Sequence, residues 1–454
     1  MPLSRKTLLA LLLGDFLTSI SHAAEPEERQ VAAKMDAYLK VLVHEERFSG
    51  SVLVTRIGKP ILNKGYGMAS YELGVPNTPK TVFRIASLTK AFTAAAIIKL
   101  QEQGKLRIDE PISKYLDNCP ASWEPIRIRH LLTQTSGIPN YTNFPGYKEA
   151  SAIPITDEAL VARFRDKPLD FAPGTKYNYS NSGYHLLGMI IARASGKPYA
   201  DFLQEAIFAP LGMKNTIVDR GKSILPNQAT GYAQEGSELI HSDLQDMAQI
   251  QAEGGISSTT GDMALWDQAL YTEKLLSKQS LEEIFTPFRD TYGYGWNITR
   301  LFDHREIKHT GRNFGFTSHI KRFPDDKVMV LVLSNNQMQD AEKITADLAA
   351  ILFGAPYRMP RIAKTVSSAD QVRFVGKYAE SPTNVFTVVQ EQGKLFIQNG
   401  NGKSQLFSFA PLKFFLKDNA IDIEFLKDHK GEISGLILLR NGRKTTEAKR
   451  LSTL

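Results

Sequence analysis

Cysteine is almost absent from this chain of 454 residues, which contains only Cys119. A single thiol cannot form an internal disulfide, so the fold must be stabilised by its hydrophobic core. The nine histidines form no His-Glu-x-x-His motif, and one cysteine excludes a Cys-x-x-Cys pair. These absences remove the common zinc-binding patterns, and we predict that the protein binds no metal.

Long apolar runs are scarce as well. Beyond the N-terminal segment, no stretch approaches the ~18 apolar residues needed to span a membrane, and the run at 328–333 is short enough to indicate a buried strand. At the N-terminus, Arg5 and Lys6 precede apolar residues at 8–13, and small residues follow at 21–24. This pattern is typical of an export signal. We therefore predict a signal peptide at residues 1–24 and a periplasmic or secreted protein.

One residue argues against that interpretation. Asp15 lies at the end of the apolar run, where an export signal is normally uncharged. The alternative is an ordinary N-terminal helix or an uncleaved anchor. Membrane association is expected only through such an uncleaved segment.

The net charge of +7 is concentrated near the C-terminus, where residues 361–454 hold 15 lysines and arginines against nine acidic residues. These charges are scattered and are not interleaved with aromatic residues as on a nucleic-acid-binding surface. We predict no nucleic-acid partner. The excess is interpreted as a solvated surface, with weak attraction to anionic wall polymers or membranes as the alternative.

A hydrophobic share of 42% is that of an ordinary globular protein with a large core, and the length suits two or three domains. Residues 25–356 mix helical and strand patterns: helices at 28–47 and 340–353, a hairpin at 51–66, and strands at 317–323 and 328–333. These predict an α/β domain. Pro356 and Pro360 mark a linker at 357–365.

From residue 366 to 454 the pattern changes to short alternating runs separated by glycines. Such runs predict an all-β domain, a small barrel or a sandwich, in which we find no candidate catalytic group. The predicted strands are 386–389, 394–397, 405–409, 421–425 and 433–439.

The strongest chemical signal is Ser87-x-x-Lys90 at the start of a predicted helix that Gly104 ends. The two side chains then lie one turn apart on the same face. An ammonium near a helix N-terminus is disfavoured by the macrodipole, and burial would lower its pKa further, so Lys90 could act as a neutral base for the Ser87 hydroxyl. The alternative is a plain N-cap serine beside a solvated lysine.

The Ser-x-x-Lys pattern also recurs by chance. Ser318 and Lys321 form a second copy in a segment that alternates like a strand, where the two side chains would point to opposite faces. Two further motifs are Tyr179-Ser180-Asn181, in a polar loop, and His309-Thr310-Gly311. Each is weak alone, since Tyr141-Thr142-Asn143 is another Tyr-x-Asn.

Taken in order, the three motifs resemble those of the serine β-lactamase and penicillin-binding-protein superfamily, in the branch of class C β-lactamases, D-alanyl-D-alanine carboxypeptidases and related esterases. The resemblance runs from about residue 48 to residue 353. It implies a central antiparallel sheet flanked by helices, within an α/β (α+β) fold. The C-terminal domain resembles the lipocalin-like barrels appended to some of these hydrolases.

The resemblance also implies a role for each motif residue. Ser87 Oγ would attack an acyl carbonyl while Lys90 and Tyr179 move its proton. A phenol of ordinary pKa about 10 needs a neighbouring ammonium to act as a base, and Lys90 could supply it. Asn181 would hold the substrate amide.

The third motif would form the other wall of the site. The strand carrying His309, Thr310 and Gly311 would line it, and the N–H groups of Arg312 and Ser87 would form the oxyanion hole. Glycine at 311 suits a strand against which the substrate lies closely.

Two positions depart from the family pattern. His309 stands where class C β-lactamases usually have lysine, and a neutral imidazole removes a permanent charge, which argues against efficient β-lactam hydrolysis. The alternative for His309 is a histidine that only fills space in a strand. Gln134 stands where relatives often have histidine, and the sequence suggests no role for it beyond helix packing.

We therefore expect an exported serine hydrolase that forms an acyl-Ser87 intermediate without a cofactor. The favoured substrate is a D-alanyl peptide, including one derived from peptidoglycan, with a small ester close behind. A weak β-lactamase is the alternative enzyme. A penicillin-binding or wall-binding protein that is acylated but never deacylated is the alternative of another class.

Overall fold

The computed structural model describes residues 26–235, 238–400, 402–417, 421–440 and 442–451. The predicted signal peptide at 1–24 lies outside these residues. Within the described ranges, no helix combines the length and the apolar character needed to cross a membrane.

A six-stranded antiparallel sheet organises the first domain, in the order β10-β11-β12-β13-β1-β2. Its strands are β1 Gly50–Arg56, β2 Lys59–Tyr66, β10 Asn297–Leu301, β11 His304–Asn313, β12 Phe316–Phe323 and β13 Val328–Ser334. Short strands lie beside this sheet: β3 Met68–Ser70, β4 Val75–Pro76, β5 Phe83–Arg84, β6 Ile217–Val218, β7 Tyr232–Glu235, β8 Glu238–His241 and β9 Ile256–Ser258.

Helices cover both faces of the sheet. They are α1 Pro26–His44, α2 Thr89–Glu102, α3 Ile128–Leu132, α4 Tyr147–Ala150, α5 Asp157–Ala162, α6 Asn181–Ser195, α7 Tyr199–Leu203, α8 Ala209–Leu211, α9 Gln251–Gly254, α10 Thr260–Ala269, α11 Lys278–Ile284, α12 Ala341–Phe353 and, before the second domain, α13 Ser368–Gln371. The predicted α/β fold with a central antiparallel sheet is confirmed.

Strand β13 is apolar at every position from Val328 to Leu333 because both faces of the sheet are covered at this strand. Val330 packs in the core formed with α1 and α12, whereas its neighbour Leu331 packs in the larger core around α2 on the opposite face. Since both faces are covered, neither set of alternating side chains meets water. The two cores assign α1 and α12 to one side of the sheet and α2 to the other.

Helix α2 is the most buried helix of the first domain, with almost every side chain in the core. Its Phe92 stacks on Trp266 of α10, with ring centroids 4.1 Å apart. A helix surrounded by protein needs no polar face, which accounts for the run of alanines and isoleucines after Lys90.

The C-terminal domain is a closed barrel, β14 to β21, in sequence order. Its strands are β14 Gly376–Ser381, β15 Asn384–Glu391, β16 Lys394–Asn399, β17 Gly402–Ala410, β18 Lys413–Phe415, β19 Ile421–Lys427, β20 Ile433–Arg440 and β21 Arg443–Arg450. Aromatic rings fill its interior, as where Phe374 packs 4.7 Å from Phe425. The predicted all-β domain is confirmed as a barrel.

The barrel is attached to the first domain at the C-terminal end of α1. Glu45 is 5% exposed; its Oε1 accepts a hydrogen bond from Ala363 N–H at 2.8 Å, and its Oε2 lies 3.1 Å from Lys417 Nζ. Burial raises the pKa of Glu45, but the hydrogen bonds from Ala363 and Lys417 lower it by more, so its net pKa shift is downward. A buried carboxylate therefore joins α1 to the barrel.

We expect Lys417→Met to loosen the barrel because it leaves Glu45 buried without its cation, a loss of about 2 kcal/mol. Limited proteolysis between residues 354 and 365 should become several-fold faster. Lys403→Met is the matched control, since Lys403 pairs with Glu391 on the exposed surface of the same barrel. Equal proteolysis rates in the two variants would contradict this role for Glu45.

Candidate active site

Ser87 lies in a 3-10 turn, Ala86–Leu88, that runs directly into α2. The predicted helix start is therefore displaced by two residues, because the chain turns sharply as it leaves β5. Ala86 takes a φ of 49°, a region that alanine rarely adopts. Backbone strain at such a position is common beside functional groups.

Strand β11 lies directly against this turn. A Cβ atom at Gly311 would come within 2.4 Å of Ile85 O, so only glycine allows the approach. Ser318 of β12 donates a hydrogen bond to the same carbonyl at 2.7 Å, while Lys321 pairs with Glu306 at 2.6 Å. The second Ser-x-x-Lys is thus split between two structural contacts.

Lys90 is fully buried, and each hydrogen of its ammonium has an acceptor. Its Nζ lies 3.1 Å from Ser87 Oγ, 2.8 Å from Asn181 Oδ1 and 2.8 Å from Glu253 O. Burial lowers the pKa of Lys90 to about 7, against a smaller opposing effect of the Glu253 charge. Lys90 is therefore not the solvated lysine of the alternative interpretation, and a large fraction of it is neutral at pH 7.

Tyr179 meets Ser87 from the other side. Its hydroxyl donates to Ser87 Oγ at 3.0 Å, and its ring lies 4.8 Å from Lys90 Nζ. Burial raises the pKa of Tyr179 well above the usual value for a phenol. Near pH 7, Lys90 can therefore accept a proton from Ser87, whereas Tyr179 is protonated and can donate one.

Gln134 holds the loop that carries Tyr179. Its carbonyl accepts a hydrogen bond from Asn178 N–H at 2.9 Å, and its side-chain Oε1 accepts from Ser180 N–H at 2.8 Å. Its φ of 58° lets backbone and side chain reach the same loop. Gln134 therefore fixes the residue on each side of Tyr179, a role that nothing in the sequence signals.

Asn181 begins helix α6 beside Lys90. Its Oδ1 accepts from Lys90, its Nδ2 donates to Thr142 Oγ1 at 3.1 Å, and its N–H donates to Asn140 Oδ1 at 3.1 Å. An amide nitrogen carries two hydrogens, so one remains for a substrate carbonyl. The second Tyr-x-Asn motif, residues 141–143, thus supports the first.

His309 of β11 is 4% exposed and packs near Tyr179, with ring centroids 6.4 Å apart. Its Nδ1 lies 2.8 Å from Thr310 O and must donate, which leaves Nε2 to accept from Tyr292 at 3.2 Å. Burial, and then the Lys90 charge, lower the pKa of His309 to about 3. The imidazole is therefore neutral across the physiological range.

The two remaining residues of this strand differ in what they can offer. Thr310 lies on the opposite face from His309, with its hydroxyl 3.5 Å from Glu342 of α12, so only its backbone can line the cleft. Arg312 is exposed.

The register of β11 defines where the Arg312 N–H points. The tight turn at Phe302 and Asp303 makes residues 301 and 304 a hydrogen-bonded pair, and β10 covers β11 only as far as Lys308. Alternation then directs the Arg312 N–H towards the edge beyond β10, where no strand among the described residues pairs. This N–H is available to an oxyanion.

No group of three or more histidine, cysteine, aspartate or glutamate side chains is placed to hold a metal within the described part of the chain. The arrangement built on Ser87, Lys90 and Tyr179 is that of a serine hydrolase of the β-lactamase and penicillin-binding-protein superfamily.

Comparison with known proteins gives the same answer. The Beta-lactamase family model matches residues 29–353, and the chain belongs to this family. It is 31% identical over 427 residues to penicillin-binding protein 4* of Bacillus subtilis, covering 86% of this chain and 93% of that one.

Two solved structures extend the similarity. The octameric penicillin-binding protein homologue from Pyrococcus abyssi is 26% identical with a TM-score of 0.67, covering 93% of this chain and 96% of that one. The D-amino acid amidase from Ochrobactrum anthropi SV3 is 26% identical with a TM-score of 0.63, covering 72% and 99%.

The depressed pKa of Lys90 predicts the pH dependence of acylation. Only the neutral amine accepts the Ser87 proton, so kcat/KM should rise as pH passes upward through about 7 and fall about tenfold per unit below it. The measurement is a pH profile with p-nitrophenyl acetate, with Ser87→Ala as the background. A flat profile between about pH 5 and pH 8 would exclude Lys90 as the base.

Replacing Gln134 with methionine keeps the side-chain length but removes the acceptor for Ser180 N–H. We expect kcat/KM to fall about tenfold because Tyr179 is less well placed. Gln101→Met is the matched control: its side chain also accepts a backbone N–H, that of Ile108 at 3.0 Å, outside the site. The prediction fails if both variants keep wild-type kcat/KM in steady-state assays.

Proposed function

We propose that this protein hydrolyses D-alanyl peptides, or a similar amide or small ester, through an acyl-Ser87 intermediate. One observation carries the proposal. Ser87 Oγ lies 3.1 Å from the buried amine of Lys90 and 3.0 Å from the hydroxyl of Tyr179. A serine placed between a low-pKa amine and a high-pKa phenol has both a base and an acid at hand.

The reaction follows from these contacts. Neutral Lys90 takes the Ser87 proton as Oγ attacks the carbonyl, and the oxyanion accepts hydrogen bonds from the N–H groups of Ser87 and Arg312. Tyr179 gives its proton to the leaving nitrogen, and the Lys90 ammonium restores it. In deacylation, neutral Lys90 takes a proton from the water that attacks the acyl carbonyl. Tyr179 then gives its proton to Ser87 Oγ as the acyl group leaves, and the Lys90 ammonium returns a proton to Tyr179.

The neutral imidazole of His309 supports an amide or ester substrate over a β-lactam. Burial and the Lys90 charge keep the pKa of His309 at about 3, so this position lacks the permanent cation that class C β-lactamases usually have there. One similar structure is named a D-amino acid amidase, which supports an amide substrate, and one relative is named a penicillin-binding protein, which supports acylation by penicillin.

Export belongs to the proposal too. The basic, apolar and small residues of the first 24 positions support it, because they follow the order of a cleaved signal. A peptidoglycan-derived substrate would be met outside the cytoplasm.

The test compares the wild type with Ser87→Ala against N-acyl-D-alanyl-D-alanine, its L,L isomer, benzylpenicillin and p-nitrophenyl acetate. We expect Ser87-dependent release of D-alanine, none of L-alanine, and a penicillin adduct visible by intact mass. The same spectrum should show a chain that begins after Ala23 or Ala24.

Other outcomes would overturn parts of the proposal. Rapid ester turnover without D-alanine release would make the protein an esterase, and sustained penicillin hydrolysis would make it a β-lactamase. A stoichiometric burst with no further product would make it a binding protein. A full-length mass from a secretion-competent host would remove the case for a cleaved signal.

A further inference from the structure

A carboxylate that the sequence does not single out lies beneath the candidate active site. Glu253, in α9, is 3% exposed. Its backbone carbonyl accepts a hydrogen bond from Lys90 Nζ at 2.8 Å, and its side-chain Oε1 accepts one from Tyr141 at 2.7 Å. One residue thus contacts the base through its backbone and a second element through its side chain.

These contacts close a ring. Tyr141 is followed by Thr142, whose Oγ1 accepts from Asn181 Nδ2 at 3.1 Å, and Asn181 Oδ1 accepts from Lys90 Nζ at 2.8 Å. From the Glu253 carboxylate, the path through Tyr141, Thr142, Asn181 and Lys90 returns to the Glu253 carbonyl. A closed network of this kind, buried at Glu253, Tyr141 and Lys90 and half-buried at Thr142 and Asn181, holds its members in single rotamers.

The charge of Glu253 has a compensating partner. His185 of α6, 4% exposed, lies with its Nδ1 3.7 Å from Glu253 Oε1 and its Nε2 3.4 Å from Asp157 Oδ1. Burial lowers the pKa of His185, but the carboxylates of Glu253, Asp157 and Glu158 together raise it by more. The second oxygen of Glu253 accepts no hydrogen bond from the described residues. The Glu253 carboxylate therefore affects the Lys90 side chain by its charge, without a hydrogen bond between the two side chains.

We propose that Glu253 is a positioning residue for acyl transfer at Ser87: the ring holds Lys90 and Asn181 in place, and the Glu253 charge stabilises the Lys90 ammonium. This inference rests on the proposed function, because it concerns the same nucleophile and base.

The charged groups near Glu253 decide whether removing its charge raises or lowers the pKa of Lys90. The groups that can carry positive charge are Lys90 and His185, and the nearby carboxylate Asp157 lies on the far side of His185 and repels Glu253. The phenols stay protonated because burial raises the pKa of each: Tyr141, Tyr147, Tyr179 and Tyr199. Removing the negative charge therefore leaves Lys90 easier to deprotonate.

Two substitutions separate charge from hydrogen bonding. Glu253→Gln keeps an oxygen for Tyr141 but removes the charge, and Tyr141→Phe keeps the charge but opens the ring. Tyr147→Phe is the matched control, since Tyr147 packs 5.7 Å from Tyr141 and accepts from Gln245, outside the ring.

The readout is kcat/KM for p-nitrophenyl acetate between about pH 5 and pH 9, with thermal unfolding as the check on folding. For Glu253→Gln we expect the acid limb to move down by about half to one pH unit. For Tyr141→Phe we expect the plateau to fall about tenfold through kcat, with the limb unmoved. Tyr147→Phe should match the wild type.

Two results would overturn the inference: an unmoved acid limb in folded Glu253→Gln, or equal plateaus for Tyr141→Phe and Tyr147→Phe. If Glu253→Gln does not fold, the comparison of the two tyrosine variants decides. A wild-type protein with no Ser87-dependent turnover would overturn the proposed function itself, whereas the two results above leave that function standing.

Discussion

The buried amine of Lys90 is the constraint on which the site depends. A charge removed from water must be matched by acceptors, and Lys90 has them in Ser87, Asn181 and the Glu253 carbonyl. The price of burial is a pKa near 7, which is also the property that makes the amine a base. Desolvation of Lys90 therefore both requires its hydrogen-bond acceptors and makes the amine reactive.

Much of the architecture around Lys90 exists to keep it in that position. Helix α2 is buried along most of its length and packs against α6, α9 and the Trp266 ring of α10, so its first turn cannot shift without disturbing the core. Strand β11 presses on the turn before Ser87 at Gly311, and Gln134 holds the Tyr179 loop from the other side. The three motifs come from distant parts of the chain, but each is held in place by contacts made at or next to its own motif residues.

The sequence predicts what is local and periodic. The hairpin of β1 and β2, the β12–β13 pair and the helical position of Lys90 all follow from alternation, turn residues and helix spacing. It could not predict the roles of Gln134 and Glu253, because both act through partners more than 40 residues away. The barrel strand β21 was missed for another reason: it is mostly charged and polar, and only Ala448 among its residues is buried.

The sheet separates two kinds of residue. Ser87 and its partners lie on the α2 side, whereas α1, α12 and the Glu45 attachment of the barrel belong to the other side. Substitutions on distant, unconnected sites tend to act independently. Substitutions in the barrel and in α1 can therefore change the stability or the surface of the protein without changing the active site. Substitutions in the cleft can likewise change substrate preference without changing how the two domains are joined.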